Sequence, residues 1–275
     1  MKVVIIGANG QLGTSLIKNI PSKIIIYPFK KNELDVSNFN LLKKTIGKIR
    51  PMYLINCAAY TNVNNAEKEK DLCNLINTKL LENLSYLSNL YDFNLIHFST
   101  DFVFDGEKRN YKEIDKKNPL NNYGLSKSNG EDIVINKSKN YLIFRISSLF
   151  SPYGNNFVKT ILNNIEKKKY IEVIDDQFSK PTCAIDISLF IWNNIICKKM
   201  NKINEIFHFC NNNESISWFD FANLIYKIYS NYEINLCKIK PISSINYKQA
   251  ASRPKFSNLD TEKLEKYFNF AIPKL

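Results

Sequence analysis

The chain is predicted to be an α/β protein built on a doubly wound parallel sheet, and three observations carry that expectation. Short apolar runs alternate with amphipathic stretches at intervals of roughly 25 residues through the first half. The runs are nearly continuous, as in strands covered on both faces, not alternating as in half-exposed ones. A glycine-rich turn, Gly7-Ala8-Asn9-Gly10-Gln11-Leu12-Gly13, joins the first run to the first amphipathic stretch.

Taken in order, Val3 to Ile6 is wholly apolar and opens the sheet. Residues 11–19 follow with Leu12 and Leu16 one helical turn apart. A second strand is expected over 24–27 and a helix over 39–48, where Phe39, Leu42 and Ile46 share a face. Strands at 53–56, 95–98 and 142–144 continue the pattern, separated by helices at 72–91 and 124–136. Beyond Phe150 the rhythm loosens. Helix is expected over 156–167, strand over 171–174, helix over 184–197, strand over 206–209, and helix over 217–229 with Ser217 as its N-cap. Residues 1–148 thus read as a dinucleotide-binding lobe to which 183–210 returns, and 149–275 as a smaller lobe.

Bulk composition excludes several classes. A hydrophobic fraction of 44% and a charged fraction of 23% describe an ordinary globular chain with a sizeable core. Neither a leader pattern nor an apolar run long enough to cross a bilayer is present, so a cytoplasmic protein without membrane partners is expected. The six cysteines are scattered without CxxC or Cys/His clusters and read as free thiols; no metal site is legible. The net charge of +12 is spread over solvated faces and forms no basic stripe interleaved with aromatics, which argues against nucleic acid. It would suit an anionic small molecule.

Gly7, Gly10 and Gly13 stand where a strand gives way to a helix, the context in which glycine lets the backbone approach a pyrophosphate and a helix N-terminus meets its charge. The turn, with Asn9, Gln11 and Leu12, is the candidate dinucleotide site. After the second strand come Lys30 and Lys31, with no acid before Glu33. Two lysines there favour a 2′-phosphate and hence NADPH, while Asp35, beside Val36, keeps NADH open.

Two Tyr-x-x-x-Lys spacings occur. Tyr27/Lys31 is interrupted by Pro28, whereas Tyr123/Lys127 lies on a predicted helix, where i and i+4 share a face. A phenol beside an ammonium is a proton donor whose pKa the neighbouring charge lowers. Thr100, ending a strand, would give a carbonyl oxygen a second hydrogen bond. Thr100, Tyr123 and Lys127 are therefore the candidate catalytic set for passing a hydride between a nicotinamide and a carbonyl.

These segments resemble the extended short-chain dehydrogenase/reductases, and within them the dTDP-4-dehydrorhamnose reductase family. The likeness runs through the glycine turn, Asn56-Cys57-Ala58-Ala59-Tyr60-Thr61, Ser99-Thr100-Asp101-Phe102-Val103-Phe104-Asp105-Gly106 and 119–131. It continues through Gly154-Asn155-Asn156-Phe157-Val158, Asp176-Gln177 with Pro181-Thr182, and Arg253-Pro254. It implies a Rossmann-type fold and NAD(P)H-dependent reduction of the 4-keto group of a nucleotide-linked 6-deoxy sugar, feeding cell-surface polysaccharide synthesis. By the same resemblance Ala58, Ala59 and Tyr60 line the cofactor, while Thr100, Asp101, Phe102, Tyr123, Ser148, Asn156 and Arg253 face the sugar nucleotide, with Arg253 on its diphosphate. It also implies that the 149–275 lobe binds the substrate, and allows a homodimer and Mg2+, for which the sequence shows no ligand cluster. Ser148 stands where the family carries a tryptophan, Asn64 where it carries aspartate, and Ser179 where it carries glycine. A UDP- or GDP-linked sugar, or a non-catalytic binding protein on the same fold, therefore stays open.

Overall fold

The computed structural model describes residues 1–232 and 237–275. Six parallel strands form the central sheet: β1 (Lys2–Ile6), β2 (Ile25–Phe29), β3 (Tyr53–Asn56), β4 (Asn94–Thr100), β5 (Tyr141–Ile146) and β6 (Asn204–Phe209). Their spatial order is β2-β1-β3-β4-β5-β6. The chain goes from β1 to one side for β2, then crosses back to the other side of β1 for β3. Such a reversal opens a crevice at the carboxyl ends of β1 and β3, where α/β proteins bind ligands.

Side-chain alternation along β1 divides the core. Val3 and Ile5 pack on one face with Leu12, Leu16 and Trp192; Val4 and Ile6 pack on the other with Leu42, Ile46 and Leu84. The covering helices on the second face are α2 (Phe39–Ile49), α3 and α4 (Asn122–Lys137). α3 runs from Lys70–Asn74 through a π turn, Leu75–Lys79, into Leu80–Tyr91. The first face carries α1 (Gln11–Lys18) and the helix Ala184–Phe190, which continues as the π segment Ile191–Ile196. Trp192 Nε1 donates to Leu16 O at 2.9 Å and Asn19 Nδ2 to Ser188 Oγ at 2.9 Å, fastening these helices together.

A separate apolar cluster joins Ile161 and Ile165, Ile171 and Val173, and Phe221 and Ile225. It lies between the helices Phe157–Ile165 and Trp218–Tyr229 and the strand Tyr170–Ile174, which pairs in parallel with Lys238–Ile242. Ser217 caps the second helix as expected, its Oγ accepting from Asp220 N at 3.0 Å. Strand Lys238–Ile242 carries no strand pattern in the sequence, because its lysines and Pro241 mask an edge strand. Among the described residues no helix is long and apolar enough to cross a membrane.

Candidate active site

The crevice above β1, β3 and β4 contains a cavity of about 500 Å³. Its wall on one side is the glycine turn. Gly7 has φ +77°, and a Cβ there would lie 2.5 Å from Ala58 N, so only glycine lets β1 and the residues after β3 close this way. Asn9, Gly10, Gln11 and Leu12 line the cavity, as do Ala58 and Ala59, while Gly13 is buried beneath. Gly10 is the N-cap of α1 and no side chain caps that helix. Its first N–H groups are thus without an intrahelical or side-chain partner at the turn, and they suit a pyrophosphate.

The opposite wall brings the candidate chemistry together. Thr100 ends β4, 5% exposed, and the short turn Asp101–Val103 follows. α4 starts against that turn: Asn121 caps it, accepting from Gly124 N at 2.8 Å, and Glu67 accepts from Asn122 N at 2.9 Å. A Cβ on Gly124 would stand 2.2 Å from Phe102 O, so glycine lets the first turn of α4 lie directly on the backbone. The consequence is local and decisive. Tyr123 and Thr100 both line the cavity, and the phenol lies close enough to Thr100 for the threonine hydroxyl to act on it.

Burial pushes the Tyr123 phenol pKa up, the Thr100 hydroxyl pulls it down, and the Asp101 carboxylate raises it. Asp101 itself is 3% exposed; burial lifts its carboxyl to about 6 against the hydrogen bond that Oδ1 accepts from Thr100 at 2.8 Å. Lys127, one turn along α4 and 2% exposed, also lines the cavity. Its ammonium donates to Phe98 O at 2.5 Å and lies 3.3 Å from His97 Nε2. Burial lowers its pKa to about 8. Lys127 is drawn to the β4 backbone, while the charged groups acting on the Tyr123 phenol are Asp101 and Cys73, both of which raise its pKa.

Comparisons with known proteins agree with this arrangement. The chain matches the family described as RmlD substrate binding domain over residues 1–275. It is 35% identical to the dTDP-4-dehydrorhamnose reductase of Aggregatibacter actinomycetemcomitans, covering 97% of this chain and 93% of that one. The chain belongs to the dTDP-4-dehydrorhamnose reductase family. A crystal structure of the Bacillus anthracis reductase in complex with NADP is similar at a TM-score of 0.92 and 37% identity, covering 99% of this chain and 95% of that one. The Clostridium acetobutylicum reductase structure is similar at 0.91 and 33%, with the same coverage.

Not every expected residue of this family member reaches the cavity. Ser148 does, in a left-handed conformation (φ 45°), its Oγ donating to Ser179 Oγ at 2.8 Å. Phe102 does not line it; its ring meets Tyr123 edge-on at 5.9 Å. Tyr60 hydrogen-bonds Glu69 at 2.9 Å, so its hydroxyl is turned away from the lining residues. Asn156 caps the helix Phe157–Ile165, accepting from Lys159 N at 3.1 Å, and donates to Gln11 Oε1 at 3.0 Å and Ser151 O at 2.8 Å. Its polar atoms are thus spent joining the second lobe to the glycine turn. Lys30, Lys31, Asp35 and Val36 follow β2 outside the lining, where Lys30 pairs with Glu33 at 3.8 Å and Asp35 accepts from Ser37 Oγ at 2.6 Å. Arg253 lines a second cavity of about 710 Å³, beside Asn64, Gln177, Trp218 and Tyr247.

Three residues to which the motifs gave no role support the site. Asn56 and His97 face each other across β3 and β4, and Asn77 sits in the π turn of α3. None has a distinguishing spacing in sequence.

Proposed function

We propose that this protein reduces the 4-keto group of dTDP-4-dehydro-L-rhamnose to give dTDP-L-rhamnose, with NADPH as reductant. The observation that carries this reading is the convergence of Thr100, Tyr123 and Lys127 on the one cavity that the glycine turn walls. A dinucleotide fits the donor set: an N-terminus of α1 without a side-chain cap, with Asn9, Gly10, Gln11 and Leu12 lining the cavity beside it.

When bound, the reduced nicotinamide supplies a hydride to the carbonyl carbon. The protein's part is the oxygen. Tyr123 holds a proton that its buried phenol keeps at neutral pH, and gives it to the oxygen as the C–O bond becomes single. The Thr100 hydroxyl, which donates to Asp101 Oδ1 at 2.8 Å, would offer that oxygen a second hydrogen bond by turning its one proton toward it. Lys127, tied to Phe98 O, holds the cofactor ribose. Asp101 shapes the sugar side of the pocket.

Arg253 and Asn64, on the second cavity, suit the nucleotide end of the substrate, since a guanidinium fork matches paired phosphate oxygens. Residues 1–148 with 183–210 then form the cofactor lobe and 149–275 the remainder of the substrate site. The test is product analysis with dTDP-4-dehydro-L-rhamnose generated in situ, alongside UDP- and GDP-linked 4-keto sugars, each with NADPH or NADH. The expected result is dTDP-L-rhamnose formed with NADPH. Turnover of only a UDP- or GDP-linked sugar would replace this substrate, and no turnover of any would remove the reductase reading.

A further inference from the structure

We propose that Asn56 and His97 form a positioning pair that fixes where the imidazole carries its proton, and so presents a donor to the Lys127 nitrogen. The reading rests on two buried side chains, each 1% exposed, that lie opposite one another in the β3–β4 register.

The polarity of the pair follows from a backbone group. Asn56 Oδ1 accepts from Ala58 N at 3.1 Å, so the amide cannot be turned round without setting two donors against each other. Its NH2 therefore faces His97 Nδ1, at 3.2 Å. An NH2 offers only protons, so Nδ1 accepts. A neutral imidazole has a single N–H, which must then sit on Nε2. Nε2 lies 3.3 Å from Lys127 Nζ.

At that contact an ammonium would set donor against donor. An uncharged amine fits: its lone pair accepts from His97 Nε2–H while one of its N–H groups still donates to Phe98 O at 2.5 Å. A charged imidazole is disfavoured, because burial and the neighbouring Lys127 hold His97 well below the ordinary histidine range.

The other groups facing Lys127 are Glu131 on its own helix, Cys73 from α3 and Cys57 after β3; all three favour the ammonium. Glu131 is already engaged, by Arg145 at 2.8 Å and Lys117 at 3.3 Å. Burial draws Lys127 down to about 8, and a donor held against its nitrogen favours the same uncharged form. On the reductase reading, Lys127 becomes a group whose charge changes near the working pH, not a permanent cation.

The test needs no turnover, so it is independent of the reductase assignment. The chain has only two histidines, and nitrogen NMR of the 15N-labelled protein at pH 7.5, with His97→Gln identifying the signals, reads the tautomer directly. The expected signature is a protonated Nε2 and a bare Nδ1 at His97; a protonated Nδ1 or an imidazolium overturns the proposal. Next, the Lys127 titration is followed by 13C NMR of lysine-labelled protein, assigned through Lys127→Met. The wild-type midpoint is expected near 8, and Asn56→Ala, which frees the imidazole to move its proton to Nδ1, should raise it by about one pH unit, a tenfold change in proton affinity. A folded Asn56→Ala with an unmoved midpoint overturns the influence on Lys127. Should that variant not fold, the wild-type tautomer and midpoint decide.

Discussion

The side chain of Asn77 holds both backbone polar groups of Tyr60: Oδ1 accepts from its N–H at 2.9 Å and Nδ2 donates to its C=O at 3.0 Å. Nδ2 also reaches Ser126 Oγ at 3.0 Å, next to Lys127. One amide thus ties the loop that carries Ala58 and Ala59 to the helix that carries the candidate catalytic pair. Asn77 is 1% exposed, whereas Tyr60 is half-buried. Asn77→Ala is expected to lower unfolding free energy by about 1–3 kcal/mol, from lost hydrogen bonds to the half-buried Tyr60 backbone and to buried Ser126. Urea denaturation measures it, and a loss under 1 kcal/mol would show that the loop finds other partners.

Gly124→Ala tests the seating of α4. Its Cβ would stand 2.2 Å from Phe102 O, so the first helical turn must move away and Tyr123 with it. The expected outcome is a folded protein whose kcat falls at least tenfold while NADPH affinity changes little. Unchanged turnover would mean that the Thr100–Tyr123 contact does not depend on this backbone approach.

Acid sensitivity follows from the buried titratable groups. His97 and His208 are held well below the ordinary histidine range by burial, so below pH ~6.5 the unfolded chain takes up protons that the folded one refuses. Each costs about 1.4 kcal/mol of stability per pH unit there. Asp101, raised to about 6 by burial, works the other way: the folded state binds its proton first and gains as pH falls below 6. The balance is a loss of roughly 2 kcal/mol between pH 7.5 and 5.5. Urea unfolding at the two pH values measures it; a flat profile would contradict the neutral, buried histidines.

Arg253 separates binding from chemistry. It lines the second cavity with Asn64, whose Oδ1 lies 3.4 Å from Nη2. Arg253→Ala is expected to raise KM for the sugar nucleotide at least tenfold, with kcat nearly kept and cofactor affinity unaffected, in steady-state kinetics. A fall in kcat alone would place this residue with the reacting atoms instead.

The parts of the fold and site that sequence made legible are those encoded by local spacing. The strands at β1, β3 and β4, the glycine turn and the pair Tyr123/Lys127 are each readable within a few residues, because periodicity and helix geometry act at short range. Asn56 and His97 meet only through the register of two strands 41 positions apart, which no local pattern records. Asn77 owes its reach to a π turn that shifts the helical phase, and no residue in that turn announces it. The motif places Asn156 at the substrate, while its polar atoms cap a helix and bond Gln11, contacts that no local pattern announces. The direction of the Lys127 ammonium depended on a backbone carbonyl, Phe98 O, that carries no sequence signature at all.

The phenol of Tyr123 as proton donor is the central claim, and Tyr123→Phe measures it most directly, since the ring stays packed on Phe102 and only the hydroxyl is lost. Single-turnover reduction of dTDP-4-dehydro-L-rhamnose and NADPH binding by fluorescence should be measured on the same preparation. The account expects reduction to fall by at least a hundredfold with NADPH affinity within twofold of wild type. Reduction persisting near the wild-type rate would contradict it.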